Sequence, residues 1–188
     1  MADCPALTNR SLRMSYRIAR GEQGVLTFEP YKSHLLPLWR FKTAAIAQES
    51  SSALWSEFLR YNKAGDFVGM DMTRKYIQMG MTRAKRYANY KGGRKYDKTS
   101  GTQNEKSKGH AGQREKLEAS EIFRKVWQRC RAHAGYQDKK VAFLREQKGW
   151  DRDGERGFVK DEEEIKLEGS DGGCDASGMV GKVKEEDD

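Results

Sequence analysis

Apolar residues return every three or four positions in several long stretches of the chain, the spacing of one face of an α-helix. Between about Ala44 and Lys63, Ala47, Leu54, Phe58 and Tyr61 share one arc with Trp55 beside it, while Glu49, Ser52, Ser56, Arg60 and Lys63 face away. Thr43 stands where a side-chain oxygen can accept from a free amide, and Gly65 where a left-handed residue closes a helix. A second helix is predicted from Asp71, read as its cap, to about Tyr90, and Gly92 and Gly93 end it. The short connection makes the two antiparallel neighbours. A third helix, from Arg114 to Ala134, gathers Ala119, Ile122, Phe123, Val126, Trp127 and Cys130 on one arc and stops at Gly135. A fourth, from about Asp138 to Lys148, offers Val141, Phe143 and Leu144, with Trp150 after it.

Ahead of these helices the pattern changes. Residues 1–13 have no periodicity and read as a loose extension. Tyr16 and Ile18 alternate with polar neighbours, Gly21 to Gly24 supply turn chemistry, and Val25 to Glu29 form a second β-prone run, which together predict a β-hairpin. Two strands alone are marginal in water, so the hairpin needs a surface to cover. The segment PYKSHLLPLWRFK then reads as a buried connector or a third edge strand. The expected fold is α+β and mostly helical: a small N-terminal hairpin or sheet packed on about four amphipathic helices, in one domain spanning 14–150. A polar stretch at 98–113, KTSGTQNEKSKGHAGQ, predicts a flexible loop inside it.

Charge divides the chain in two. Residues 1–150 hold 30 Lys/Arg against 14 Asp/Glu and residues 151–188 hold 6 against 14, so the body is +16 and the tail −8. The tail carries the runs DEEE and EEDD, many glycines and no Trp or Tyr, a composition that predicts disorder. On a flexible tether it could compete with phosphates for a basic surface, or simply solubilise the protein. No run approaches the roughly 18 apolar residues of a membrane span, and the N-terminus lacks the apolar core of a secretory signal. These features point to a soluble, cytoplasmic protein, with nothing that bars the nucleus.

The second helix carries the chemistry. Thr73, Tyr76, Ile77, Gly80, Ala84, Tyr87 and Ala88 lie on one arc; Arg74, Lys75, Gln78, Thr82, Lys85, Arg86 and Asn89 lie on the other, which has no apolar and no acidic member. Small residues at 80, 84 and 88 let a neighbouring helix approach closely. From Arg74 to Lys98 there are nine Lys/Arg and one acid, Asp97, with tyrosines interleaved. Cations neutralise phosphates and release counterions, aromatic rings stack on unpaired bases, and amide side chains bond to base edges. The candidate binding residues are Arg74, Lys75, Gln78, Lys85, Arg86, Asn89, Tyr90, Lys91, Arg94 and Lys95. Solvated helix faces are ordinarily charged too, but they mix signs. Arg83, at the edge of the apolar arc, reads as a stem covering core surface.

No catalytic or metal constellation outweighs its structural reading. Cys4, Cys130 and Cys174 are scattered, His34, His110 and His133 are far apart, and Cys130 sits in the middle of a buried arc although His133 is one turn away. Among the carboxylates, Asp71 reads as a cap, Glu49 faces solvent, and Glu57 and Asp66 show no pairing. Gly92 to Tyr96 lacks the spacing of a nucleotide loop. No catalytic residue, metal or cofactor is therefore assigned.

The segments SYRIARGEQGVLTFEPYKSHLLPLWRFKT and ALWSEFLRYNKAGDFVGMDMTRKYIQMGMTRAKRYANYKGGRKYD, with the later EASEIFRKVWQRCRAHAGYQ, resemble the family known as domain of unknown function 4385. The resemblance covers about residues 14–150 and implies small cytoplasmic proteins without an assigned activity. It supplies no site residues. The leading expectation is a nonenzymatic module binding DNA or RNA through the basic helix face. An enzyme acting on a small anionic or phosphorylated substrate and a protein-interaction adaptor are the alternatives. A flat basic surface would favour the polymer, a concave site with convergent carboxylate or His would favour chemistry, and an exposed apolar patch would favour the adaptor.

Overall fold

The computed structural model describes residues 4–168, with side chains described through Gly154. Seven α-helices make up most of the described residues: α1 (Pro5–Thr8), α2 (Arg10–Ser15), α3 (Tyr31–Leu35), α4 (Ala44–Ala64), α5 (Phe67–Asn89), α6 (Gln113–Ala132) and α7 (Ala134–Glu168). The chain divides into two units, residues 1–147 and residues 148–188. All that follows about packing concerns the first.

The expected N-terminal β-hairpin is absent, and the α+β class with it. Among the described residues there is no strand, only one isolated antiparallel bridge between Tyr96 and Gln103. Residues 16–30 are extended chain and successive turns, with local bonds such as Gln23 N to Arg20 O and Val25 N to Glu22 O. The alternation that imitated a strand has another cause. Tyr16 and Val25 are buried because their side chains reach the helices, not because their backbones pair. The Tyr16 ring packs edge-on against Phe28 and Phe143.

Within the expected loose extension, residues 4–13 carry α1 and the start of α2 and are tied to the core. Ala6 is fully buried, and its amide donates to the Tyr31 hydroxyl at 3.1 Å. The Arg13 guanidinium reaches Glu146 at 2.7 Å and donates to the Ala6 carbonyl. From α7, Gln147 Nε2 donates to the carbonyls of Met14 and Tyr16. Long-range bonds of this kind leave no local signature.

The three long helices of the core follow their periodicity closely. In α4, Thr43 Oγ1 accepts from Ile46 N at 3.2 Å and Gly65 closes the end with φ +85°. Its buried face includes Ala47, Leu54, Phe58 and Tyr61, as expected. The next helix starts earlier than expected, because its cap is Asp66, whose Oδ1 accepts from Gly69 N at 3.0 Å. Asp71 therefore lies inside α5, one turn in. Close approach fixes α5 between its neighbours: a Cβ at Gly69 would overlap the Tyr61 ring of α4, and one at Gly80 would meet the Phe123 ring of α6 at 2.7 Å. Phe58 and Phe123 are fully buried, each worth about 1.5–3 kcal/mol of transfer free energy.

α6 ends at Ala132 with His133 as its cap, and α7 begins at Ala134, so Gly135 lies in a first turn rather than at a stop. The helical backbone of α7 continues past the expected end near Lys148 to Glu168. Glu and Lys, abundant there, are good helix formers. The rest of the predicted acidic tail, 169–188, lies outside the described residues. The stretch 98–113 folds back on α5. Gln113 Nε2 donates to Ala88 O at 3.0 Å, His110 Nε2 lies 3.1 Å from the same oxygen, and Ser107 N donates to Asn89 O. These bonds satisfy carbonyls that the end of a helix leaves open.

Candidate functional site

The basic face of α5 separates into two halves with different surroundings. In the first half the charges turn inward around Asp71, which is fully buried. Its Oδ1 accepts from Arg74 Nε and from the Tyr136 hydroxyl, both at 2.7 Å, and its Oδ2 accepts from the Tyr16 hydroxyl at 2.5 Å. Arg74 then donates to Gln78 Oε1 at 2.9 Å. The Lys75 ammonium is 3.8 Å from Asp71 Oδ2, lies over the Tyr16 ring, and donates to Gln23 O at 3.1 Å. Arg74 and Lys75, two of the expected binding residues, are thus buried and bonded internally, and Gln78 is partly buried as Arg74's acceptor.

Burial alone would raise the Asp71 carboxyl, but the Arg74 guanidinium and the two tyrosine hydroxyls hold it below the usual carboxylate range. Burial lowers the Lys75 ammonium, and Asp71 only partly restores it. The Asp66 carboxyl moves the other way. Desolvation raises it despite the Gly69 amide and the Tyr31 hydroxyl, which donates to Oδ2 at 2.5 Å.

In the second half the charges face a groove of about 440 Å³. Arg83, Lys85 and Arg86 of α5 line it together with Lys95, which follows the helix. Thr82 and Asn89 of α5, and Tyr90 just past its end, also line it. Arg83, Lys85 and Arg86 make no ion pair with any described residue. Lys95 lies over the Tyr96 ring. One carboxylate enters the groove: Glu22, whose Oε2 accepts from Thr82 Oγ1 at 2.7 Å. The loop that carries Glu22 is the one that Lys75 holds through Gln23, so the buried half of the face positions part of the open half.

Of the expected residues, Lys85, Arg86, Asn89, Tyr90 and Lys95 are brought together here. Tyr90 is nearly buried, and its hydroxyl accepts from Gln103 Nε2. Lys91 and Arg94 are exposed on the turn after α5 and do not line the groove. Arg83 does line it, although its helical angle suggested only a covering stem; its place at the edge of the apolar arc was the available signal. Glu22 had none, being sixty residues from Thr82 in sequence.

Elsewhere, the buried titratable groups among the described residues are held in unreactive settings. Burial pushes the Cys130 thiol up to about 12, which makes it a poor nucleophile. His34 and Arg60 share Glu57, whose carboxyl burial would raise but Arg60 and His34 hold low. Among the described residues no three His, Cys, Asp or Glu side chains converge as metal ligands, and no helix is long and apolar enough to cross a membrane. A family profile described as Domain of unknown function (DUF4385) matches residues 1–146. No curated protein matches the chain, and no solved structure does.

Proposed function

The chain belongs to the DUF4385 family, a domain of unknown function, and from that premise we propose that it is a nonenzymatic nucleic-acid-binding module whose phosphate site is the groove at the C-terminal end of α5. The observation that carries this reading is four converging cations, Arg83, Lys85, Arg86 and Lys95, against one carboxylate that is already hydrogen-bonded to Thr82. The dipole of α5 favours cations near its C-terminus by about 0.3–1 kcal/mol. That preference accounts for Arg83, Lys85 and Arg86 on the last turns, not for their convergence with Lys95 on a common open groove. Asn89 adds an amide that can both donate and accept, as contacts to base edges or sugars require.

A duplex or single strand of any sequence is expected to bind with strong salt dependence, because each neutralised phosphate releases counterions. Replacing Lys85 and Arg86 by Ala should weaken binding uniformly across sequences and reduce the salt slope by about one for each residue. Fluorescence anisotropy at two salt concentrations measures both. Unchanged affinity and slope would overturn the proposal. The concavity of the groove and the carboxylate of Glu22 are the features expected of a site for a small phosphorylated substrate, and they carry the second reading; against it, Glu22 is already engaged by Thr82 and no histidine lines the groove. Inorganic phosphate or a free nucleotide binding more tightly than any oligonucleotide would establish that reading instead.

A further inference from the structure

A second surface on α5 has a different chemistry from the groove. In the segment entering α4, Phe41 links Trp39 to Tyr87 of α5: the Trp39 and Phe41 ring centroids are 5.0 Å apart, and Phe41 and Tyr87 meet edge-on at 5.8 Å. With Ile46 these rings bound an open cavity of about 390 Å³. Tyr87 is 39% exposed, although the amphipathic pattern of α5 places it with the core-facing residues. Arg40 and Lys42 stand exposed at the rim, and Lys116 of α6 reaches in from the other side.

Lys116 limits what could fit. Its Nζ donates to the carbonyls of Phe41 at 2.8 Å and Lys42 at 2.6 Å, and it lies 5.1 Å from the Phe41 centroid and 5.8 Å from that of Tyr87. An ammonium has three hydrogens, so one is left for a ligand oxygen. No carboxylate lines the cavity. Aromatic faces ringed by cations, without an acid, suit a flat π-system that carries oxygen acceptors and a neighbouring negative charge. An unpaired nucleobase with its phosphate has those properties; a base inside a duplex does not expose its face. An acidic peptide would satisfy the cations but leave the ring faces without a stacking partner.

Arg86 lines the groove and Tyr87, the next residue, lines the shelf. One residue is a rotation of about 100° on a helix about 10–12 Å wide, so the two sites flank the same turn of α5. We propose that Trp39, Phe41 and Tyr87 form a stacking shelf for unpaired bases of a single-stranded nucleic acid, with the phosphates held by Arg40, Lys42 and the neighbouring groove. This rests on the nucleic-acid reading above and adds to it a preference for single strands.

The test uses the full chain and three labelled ligands of equal length, about 12 nucleotides: an oligothymidylate, an abasic strand with the same phosphates, and a duplex. The expected result is an oligothymidylate affinity about tenfold above the abasic strand, from base–aromatic stacking. Tyr87→Ala should remove that preference while leaving the abasic affinity in place, and Tyr87→Phe should keep it. The Tyr87 ring rests against Gly93, so a thermal melt accompanies each variant. The wild-type comparison needs no variant and decides the matter even if Tyr87→Ala fails to fold. Equal affinity for the oligothymidylate and the abasic strand would overturn the shelf while leaving the groove standing. A folded Tyr87→Ala protein that retains the full preference would overturn it too. No measurable binding of any of the three ligands would overturn the groove reading, and the shelf with it.

Discussion

The two halves of α5 carry similar residues to opposite ends. Arg74 and Lys75 near its start, and Lys85 and Arg86 near its finish, fall on the same face of one helix. The first pair is buried around Asp71 and closed off by Tyr16, Tyr136 and Gln23; the second opens on a groove with no ion-pair partner among the described residues. What separates them is a single acid. Asp71 gives the first pair a partner in a low-dielectric setting, and the turns before α3 and the start of α7 cover the result. No acid stands at the corresponding place eleven residues on, where the chain has Thr82. A run of basic residues therefore says little about a surface until its internal carboxylates are located.

The largest expected effect comes from breaking the buried half. Asp71→Ala leaves a guanidinium and an ammonium without their carboxylate, and removing one partner of a buried ion pair costs about 3–5 kcal/mol. Denaturant unfolding should show that loss, whereas Lys85→Ala should stay within about 0.5 kcal/mol of wild type. If Lys85→Ala proved equally damaging, the division of α5 would be wrong. Next in size is Gly80→Ala, which drives a methyl into the Phe123 ring and should destabilise by about 1–3 kcal/mol, again by denaturant titration, with the folded fraction keeping its affinity for nucleic acid.

A smaller effect concerns pH. The folded Asp71 carboxyl titrates below its ordinary value of 3.8, so the stability it contributes is present above that pH and disappears as the pH falls through the folded value. Asp66, raised by desolvation, has the reverse sign: its contribution to stability improves as the pH drops through its elevated folded value. The gap in melting temperature between wild type and Asp71→Asn should therefore be widest near neutral pH and narrow below about pH 4. For Asp66→Asn the gap should move in the opposite sense. Parallel pH profiles for the two variants would contradict the contrast drawn between these carboxylates.

These contrasts also show what a sequence can reveal. Helices α4 to α6 were legible because their cores repeat at helical spacing, and Thr43 and Gly65 mark both ends of α4. The start of α5 differs from the expectation because Asp66 and Asp71 are both acids ahead of the basic run and both are buried; only their partners, the Gly69 amide for Asp66 and the Arg74, Tyr16 and Tyr136 side chains for Asp71, tell the cap from the centre of a polar cluster. The N-terminal segment misled more seriously. Tyr16 and Ile18 alternate as strand residues do, yet Tyr16 is buried by its hydroxyl's reach to Asp71 and by contacts with Phe28 and Phe143, which no local pattern encodes. Within the candidate site, Lys85, Arg86, Asn89 and Lys95 were readable from charge and helical angle. Glu22 was not, because a turn sixty residues away delivers it, and the shelf was not, because Trp39, Phe41, Tyr87 and Lys116 come from three separate segments.

The most direct test follows backbone amides by NMR while an oligothymidylate is titrated into the isotope-labelled protein. If the open half of α5 is the binding surface, resonances of Arg83, Lys85, Arg86 and Asn89 shift with the bound fraction, and those of Arg74 and Lys75 stay in place. Shifts centred on Arg74 and Lys75, or saturation of binding without change along residues 83–95, would contradict the account.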